Sequence, residues 1–366
     1  MPLKVQYRIL LASLLLIMSG ILPAQAQDVH FTQYNEAPIL LNPANIGFYK
    51  SQYRFNANIR NQWNTKFVNN NNVGVTGTGF QTAAGSFDMT VNVTKSSPDR
   101  LGVGVQLFSD QAGEVALRTT SGLVGVSYWK NIQKFTDKYV VFGATAGFVD
   151  KRIDYTNLQL PDQYNFFDPF RPLTAVSYPT NDNITFTDIS IGAKYFNAIS
   201  KRRYVQYGVA IYHLNKPKNS FFFDTNPDRI YRKLVLHGGM RMPFKRKIDI
   251  MPSAMICIQG PSLEINQGAF ARFQVTEARS KDLMAYSLGF WLRESRAIGK
   301  AFLFDALNVV SKMEFNNYTI GFSYDINISG MAATTRLQGG PELSFSYTGI
   351  MNASLGNKKR PYCPTF

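Results

Sequence analysis

Tyr318-Thr319-Ile320-Gly321-Phe322-Ser323-Tyr324-Asp325 carries a bulky apolar or aromatic residue at every even position and a small or polar one at every odd position. A period of two marks an extended strand, whose successive side chains leave the backbone on opposite faces. One face of this segment suits an apolar environment and the other suits water. Ala285-Tyr286-Ser287-Leu288-Gly289-Phe290-Trp291-Leu292 repeats the pattern, with Trp291 interrupting the polar face. Leu101-Gly102-Val103-Gly104-Val105-Gln106-Leu107 is the same device with Gly on one side. In Leu234-Val235-Leu236-His237-Gly238-Gly239-Met240-Arg241-Met242 the apolar face holds Leu234, Leu236, Met240 and Met242, which leaves His237 and Arg241 on the other.

Working outward, alternating segments fall at roughly 51–63, 79–93, 100–109, 114–129, 138–149, 185–196, 203–213, 231–242, 247–258, 263–275, 283–293, 300–308, 314–325 and 341–348. That makes about 14 strands, each near the ~10 residues that a tilted membrane-crossing strand needs. The expected fold is therefore all-β: a transmembrane antiparallel β-barrel whose strands turn apolar residues to lipid and polar residues to the lumen. The gaps support it. If the chain starts at the periplasmic side, the longest gaps, roughly 150–184, 214–230 and 326–340, all follow odd-numbered strands and all face outward. The inward gaps near 94–99, 197–202 and 243–246 are short. Long external loops and short periplasmic turns are what outer-membrane barrels have.

The first residues set the compartment. Lys4 and Arg8 precede an apolar run from Ile9 to Met18, then come Gly20, Pro23 and the closing Ala24-Gln25-Ala26. These are the three regions of a secretory signal peptide, with cleavage expected between Ala26 and Gln27 and no Cys there to accept lipid. No second apolar run reaches helix-spanning length, which excludes a helical membrane protein. The expected organisation is a signal peptide at 1–26 and a periplasmic lead-in at 27–50, broken up by Pro38 and Pro43. The barrel follows at 51–348, and a periplasmic tail at 349–366. Cys257 and Cys363 are the only cysteines, too few for a disulfide framework, and Cys257 reads as a buried thiol.

The formal charge is +15, falling by two to +13 once Lys4 and Arg8 leave with the signal. Export and the absence of any nucleic-acid motif argue against a nucleic-acid partner. Three basic triplets, Lys201-Arg202-Arg203, Lys245-Arg246-Lys247 and Lys358-Lys359-Arg360, all fall on the periplasmic side by loop parity. They fit a rim against anionic phospholipid head groups, or a docking surface for an acidic periplasmic partner. Catalysis finds no motif: His30, His213 and His237 are isolated, with no metal-ligand spacing and no G-x-S-x-G or H-E-x-x-H. Asp162, Asp168 and Asp182, with Asp188 just beyond, lack the D-x-D-x-D-G spacing of a calcium loop. The reading is a protein that is not an enzyme and has no cofactor or metal. Phe166-Phe167-Asp168-Pro169-Phe170 and Phe221-Phe222-Phe223 put aromatic clusters in two outer loops, as a lid or as contacts for a protein partner.

The mature N-terminus reads Gln27-Asp28-Val29-His30-Phe31-Thr32-Gln33-Tyr34, then Leu41-Asn42-Pro43-Ala44-Asn45-Ile46-Gly47. This resembles the opening of the PorP/SprF family of type IX secretion system membrane proteins. Further matches are Leu101–Gly104 through Asp110–Gly113, His213-Leu214-Asn215-Lys216-Pro217, His237-Gly238-Gly239 and Tyr318–Asp325. Gly339–Ser344 and the terminal Cys363-Pro364-Thr365-Phe366 complete the set. Val29 stands where the family often has Pro, and Thr365 takes the variable place in the closing tetrapeptide. The motif positions carried over are Gln33, Tyr34, Asn42, Pro43, Gly47, His237, Gly238, Gly239, Cys363, Pro364 and Phe366. The resemblance implies an outer-membrane barrel of a secretion and gliding apparatus that binds and retains secreted adhesins bearing a C-terminal secretion domain. It also implies other type IX components as partners, including a periplasmic peptidoglycan-binding protein. A barrel of this strand number also fits a channel for small hydrophobic or polar solutes, and composition does not separate the two. A soluble secreted β-protein is the third, remote reading.

Overall fold

The structure, a computed structural model, describes residues 28, 31–62, 79–93, 98–113, 117–133, 136–154, 181–221, 228–275, 284–297, 303–329 and 339–350. Fourteen strands form one closed antiparallel barrel: β1 (Tyr53–Gln62), β2 (Phe80–Asn92), β3 (Arg100–Ala112), β4 (Leu117–Asn131), β5 (Asp137–Arg152), β6 (Asn183–Ser200), β7 (Arg203–Tyr212), β8 (Lys233–Lys245), β9 (Ile248–Gln259), β10 (Ser262–Gln274), β11 (Met284–Ala297), β12 (Leu303–Phe315), β13 (Tyr318–Asn327) and β14 (Pro341–Gly349). Each strand pairs with the next in sequence, and β1 closes the ring on β14 from Tyr53 opposite Gly349 to Arg60 opposite Glu342. Closure leaves no edge strand with unpaired backbone groups, as a lipid environment requires.

The side chains are arranged inside out relative to a soluble protein. On β13, Tyr318, Ile320, Phe322 and Tyr324 are exposed on the outer surface, while Ser323 and Asp325 are buried in the lumen. Leu107, Phe148 and Ile59 are 66, 65 and 61 % exposed on the same outer face. In water such a belt would forfeit roughly 1.5–3 kcal/mol per large side chain, so the surface is made for lipid. Among the described residues no helix is long and apolar enough to cross a membrane.

All fourteen segments expected from the alternation overlap a strand, and β12 departs furthest, running to Phe315 rather than stopping near 308. Lys312 falls in the gap expected between 308 and 314, and Glu314 opens the next expected segment. Both point into the lumen, where each meets an opposite charge. The connections sort by end as expected. Those after β5, β7 and β13 share one end of the barrel, and the two-residue turns Lys201-Arg202, Arg246-Lys247 and Asn316-Asn317 lie at the other. Asn316 takes φ 50, a conformation that Asn tolerates in tight hairpins.

The segment expected as a periplasmic lead-in lies instead inside the barrel. From Phe31 to Tyr49 every residue is buried except Asn35 and Leu40, which are half-buried. It holds a 3-10 turn (Tyr34–Glu36), a short helix α1 (Pro38–Leu41) and a second 3-10 turn (Pro43–Asn45). Pro38 and Pro43 keep it out of the sheet, as expected. Phe31, Tyr34, Ile39, Leu41, Ile46 and Phe48 still need burial, and a closed barrel offers that only in its lumen.

Candidate functional site

The lumen segment runs the length of the barrel. Asp28 lies at the long-loop end beside His213, which follows β7, and Tyr49 lies at the start of β1 beside Arg54 and Asp88. The chain therefore descends through the lumen before it enters the wall.

Its upper part is pinned to β13 and β14 by charge. The buried Glu342 carboxylate accepts from the backbone N–H of Thr32 at 2.8 Å and of Gln33 at 3.0 Å. Thr32 Oγ1 donates to Asp325 at 2.5 Å, and Arg60 and Arg293 both donate to Asp325, at 2.7 and 3.0 Å. Gln33 donates to Ser323 Oγ at 3.2 Å and accepts from Ser344 Oγ at 2.8 Å. Tyr34 packs with Leu41, Met255, Phe270 and Trp291, and its hydroxyl lies 2.9 Å from Ser253 Oγ. Glu36 forms an ion pair with Lys312, whose ammonium also sits 4.4 Å above the Phe270 ring.

The lower part is built from Leu41-Asn42-Pro43-Ala44-Asn45-Ile46-Gly47. Asn42 is extended, as a residue before proline prefers, and its Oδ1 accepts from Ala44 N at 2.8 Å, capping the 3-10 turn that Pro43 begins. The Asn42 amide nitrogen meets Ala193 O at 3.1 Å, Val209 O at 3.2 Å and His237 Nε2 at 3.1 Å. Asn45 Oδ1 accepts from Lys194 Nζ at 2.8 Å. Ile46 O accepts from Ser127 Oγ at 2.6 Å and Trp129 Nε1 at 3.3 Å. Phe48 fills the space between Trp129 and Phe196, with ring centroids 4.7 and 5.1 Å away and Lys194 Nζ 4.2 Å above its ring. Gly47 has φ 70 and donates its N–H to Asp88 at 2.6 Å; a side chain there would be strained. Arg54 holds the same Asp88 through two hydrogen bonds, at 3.1 and 2.8 Å.

At the long-loop end His213 takes φ 55 and bridges two carboxylates, Asp188 Oδ1 at 3.0 Å and Asp28 Oδ2 at 2.7 Å. Burial alone would lower the imidazole pKa, but the two carboxylates outweigh it and raise the value to about 9. For Asp28 burial again opposes ionisation, and Lys233, His213 and Gln259 together hold its carboxyl well below the usual range. A cavity of about 920 Å³ adjoins this latch, and Asp28, Asp188 and His213 form part of its lining. Its lining is apolar at Phe80, Phe108 and Leu117, charged at Lys151, Asp188 and Lys233, and includes Phe31 and Leu40 of the lumen segment.

Of the residues singled out in the sequence, Gln33, Tyr34, Asn42, Pro43, Gly47 and His237 come together in the lumen. Gly239 faces inward near Ser253, and Gly238 faces the exposed Tyr207 ring. Phe221 is half-buried after β7, and its carbonyl accepts from Asn181 N at 3.1 Å. Phe166, Phe167, Phe170, Phe222, Phe223, Cys363, Pro364 and Phe366 lie outside the described residues, as does the signal segment. Cys257 is buried in the lumen wall. Lys201, Arg202, Arg203, Lys245, Arg246 and Lys247 lie at the short-turn end. Asp188 serves His213. Missed were the lumen charges Asp88, Lys194, Asp325, Lys312 and Glu342, whose signal was a charged residue on the inward phase of an alternating strand.

Fourteen lipid-facing strands closed around a folded N-terminal segment define an outer-membrane β-barrel with an occupied lumen. The sequence profile described as type IX secretion system membrane protein PorP/SprF matches residues 24–347, and the chain belongs to that family. It is an outer-membrane component of type IX secretion. No curated protein matches the sequence. Among solved structures it is similar to the Pseudomonas putida toluene transporter TodX, at 10 % identity over 85 % of this chain and 91 % of that one, TM-score 0.42. A bacterial polysaccharide outer membrane secretin matches at 9 % identity over 82 and 99 %, TM-score 0.38. OmpF of Salmonella typhi, in complex with daunomycin, matches at 9 % over 81 and 98 %, TM-score 0.34.

Proposed function

We propose that this protein is a non-enzymatic receptor that captures a secreted, adhesin-type protein by its C-terminal secretion domain and retains it at the cell surface. The observation that carries the reading is the lumen segment filling the barrel and lining, from Asp28 to Leu41, a cavity of about 920 Å³ toward the long-loop end. A barrel filled this way suits holding better than conducting. The mixed apolar and charged wall suits a protein surface, where apolar anchors give affinity and charges give register. In this reading residues 1–26 are removed as a signal peptide and the long loops are extracellular. Phe166, Phe167, Phe170, Phe221, Phe222 and Phe223 are the aromatic contacts proposed for the secreted partner. The short-turn end and the tail at 349–366 face the periplasm, where they meet other type IX components, including a peptidoglycan-binding protein, and couple the barrel to gliding.

Deleting the protein and comparing the surface proteome with small-solute uptake tests this. Loss of one adhesin from the surface with normal uptake supports the receptor. Normal surface proteins with impaired uptake would instead establish a channel.

A further inference from the structure

Two neighbouring hairpins at the short-turn end share a construction that the receptor role does not use. Each carries a β-bulge immediately before a basic turn. In β6 the register shifts between Ala198 and Ser200, and in β8 between Pro243 and Lys245. The extra residues are Ile199 and Phe244, 60 and 67 % exposed. Both keep the outward phase of their strands, Ile199 after Ile189 and Ile191 on β6 and Phe244 after Met240 and Met242 on β8, while the extra residue bends each strand beside its turn. Met242, 40 % exposed, continues the apolar surface up the barrel.

The turns that follow are Lys201-Arg202 and Arg246-Lys247, on hairpins joined through the β7–β8 pairing. Arg202 is not available to a ligand. Its guanidinium donates to Arg246 O at 2.7 Å, to Lys245 O at 2.8 Å, to Ile248 O at 3.1 Å and to Asp249 Oδ1 at 2.5 Å, stapling one turn to the other. Asp249 is already engaged, taking Arg241 on its second oxygen at 2.5 Å. Among the described residues, no carboxylate lies within ion-pairing distance of Lys201, Arg203, Lys245, Arg246 or Lys247. Five exposed cations are thus held together, with apolar side chains directly on their membrane side.

We infer that this bulged corner is a binding site for the head group of an anionic phospholipid. Lys201, Arg203, Lys245, Arg246 and Lys247 receive the phosphate, and Ile199, Met242 and Phe244 lie along the acyl chains. An acidic protein would be drawn by the same charges, but it would leave the apolar half of the corner in lipid and unused. Arg202 is the positioning residue that fixes the two turns.

The test uses the full chain purified in detergent and mixed with micelles containing phosphatidylglycerol or phosphatidylcholine, with retained lipid counted by native mass spectrometry. It is indifferent to which leaflet the corner faces and to whether the cavity binds cargo. Phosphatidylglycerol should be retained at least tenfold over phosphatidylcholine. The preference should disappear in the combined variant Lys201→Gln, Arg203→Gln, Lys245→Gln, Arg246→Gln and Lys247→Gln, with the barrel's heat-modifiable migration intact. Arg202→Lys keeps the charge but loses the staple, and should cut retention several-fold. Unchanged retention in the combined variant overturns the site. So does full displacement by millimolar inorganic phosphate, which would mean a free-anion site. Retention of an acidic protein in place of lipid, lost in the same variant, overturns it as well.

Discussion

Asn42 and His237 stand 195 positions apart in sequence and meet in the lumen with Asn42 Nδ2 3.1 Å from His237 Nε2. The contact joins the two parts of the family resemblance that looked unrelated in the sequence, an N-terminal Asn-Pro and a strand His-Gly-Gly. For His237 to accept, its proton must sit on Nδ1. The Asn42 side chain is then used at both ends, with its oxygen capping Ala44 and its nitrogen serving the wall.

Asn42→Ala should therefore cost more than one hydrogen bond. It strips the cap and leaves buried groups of the wall unpaired, at about 1–3 kcal/mol for each group left unsatisfied. Limited proteolysis of residues 31–50 in micelles should accelerate while the barrel stays protected. A double-mutant cycle with His237→Ala should give a coupling of about 1 kcal/mol. Strict additivity would mean that the two side chains do not interact.

Gly192 faces the lumen where a Cβ would overlap Asn42 Oδ1, and Asn42 has no room to retreat because both ends are bonded. Gly192→Ala should dislodge the Asn42–Pro43 bend and open a path for ions, measurable as conductance in a planar bilayer. Gly122 is the control. A Cβ there meets Leu107 Cδ2 at 3.7 Å, an ordinary contact, so Gly122→Ala should leave both protease resistance and conductance unchanged.

These glycines bear on what the sequence made legible. The alternation in Tyr318–Asp325 and the inward phase of His237 and Arg241 could be read directly, because a strand's period depends on adjacent residues alone. The lumen segment could not. Its short turns have no period, its two prolines argue only against a strand, and its partners lie on distant strands that only barrel closure brings near. One signal was present: Gly143, Gly192, Gly208 and Gly321 each lie where a Cβ would strike the lumen segment or the side chains that hold it. A glycine on a strand's inner phase can mark close approach of another backbone. Lys312 and Glu314 were similarly hidden, since a charge near a strand end reads as solvent-facing until its buried partner is known.

Lys312 and Glu36 form an ion pair whose side chains are 4 and 5 % exposed. Removing one partner strands the other charge, so Lys312→Met should destabilise by about 3–5 kcal/mol. Changing both, as Lys312→Met with Glu36→Met, should recover most of that loss, because neither desolvated charge remains. Urea unfolding in micelles measures the difference. A double variant as unstable as the single one would mean that the pair is not what holds the Tyr34–Glu36 turn in place.

The His213 latch makes the upper end of the lumen segment sensitive to alkali. The folded-state pKa is raised from 6.5 to about 9, so the protonated imidazole is the stabilising form. Its contribution is complete below the unfolded value near 6.5 and is lost as pH rises through about 9. Asp28 works in the opposite sense: its carboxyl is held low, so its contribution persists above the ordinary carboxylate range and is lost only in strong acid. Between those limits the bridge Asp28–His213–Asp188 is intact. Raising the pH from 7 to 10 should thus free the segment around Asp28 first, while Asn42 and its partners stay bound. Hydrogen exchange read by mass spectrometry should show faster exchange at Phe31 and its neighbours than at Ile46 and Phe48 under those conditions. Once the base-catalysed rise of intrinsic exchange is divided out, protection near Phe31 in His213→Gln should already be low at pH 7 and nearly constant to pH 10. A pH profile unaltered by that substitution would place the sensitivity elsewhere.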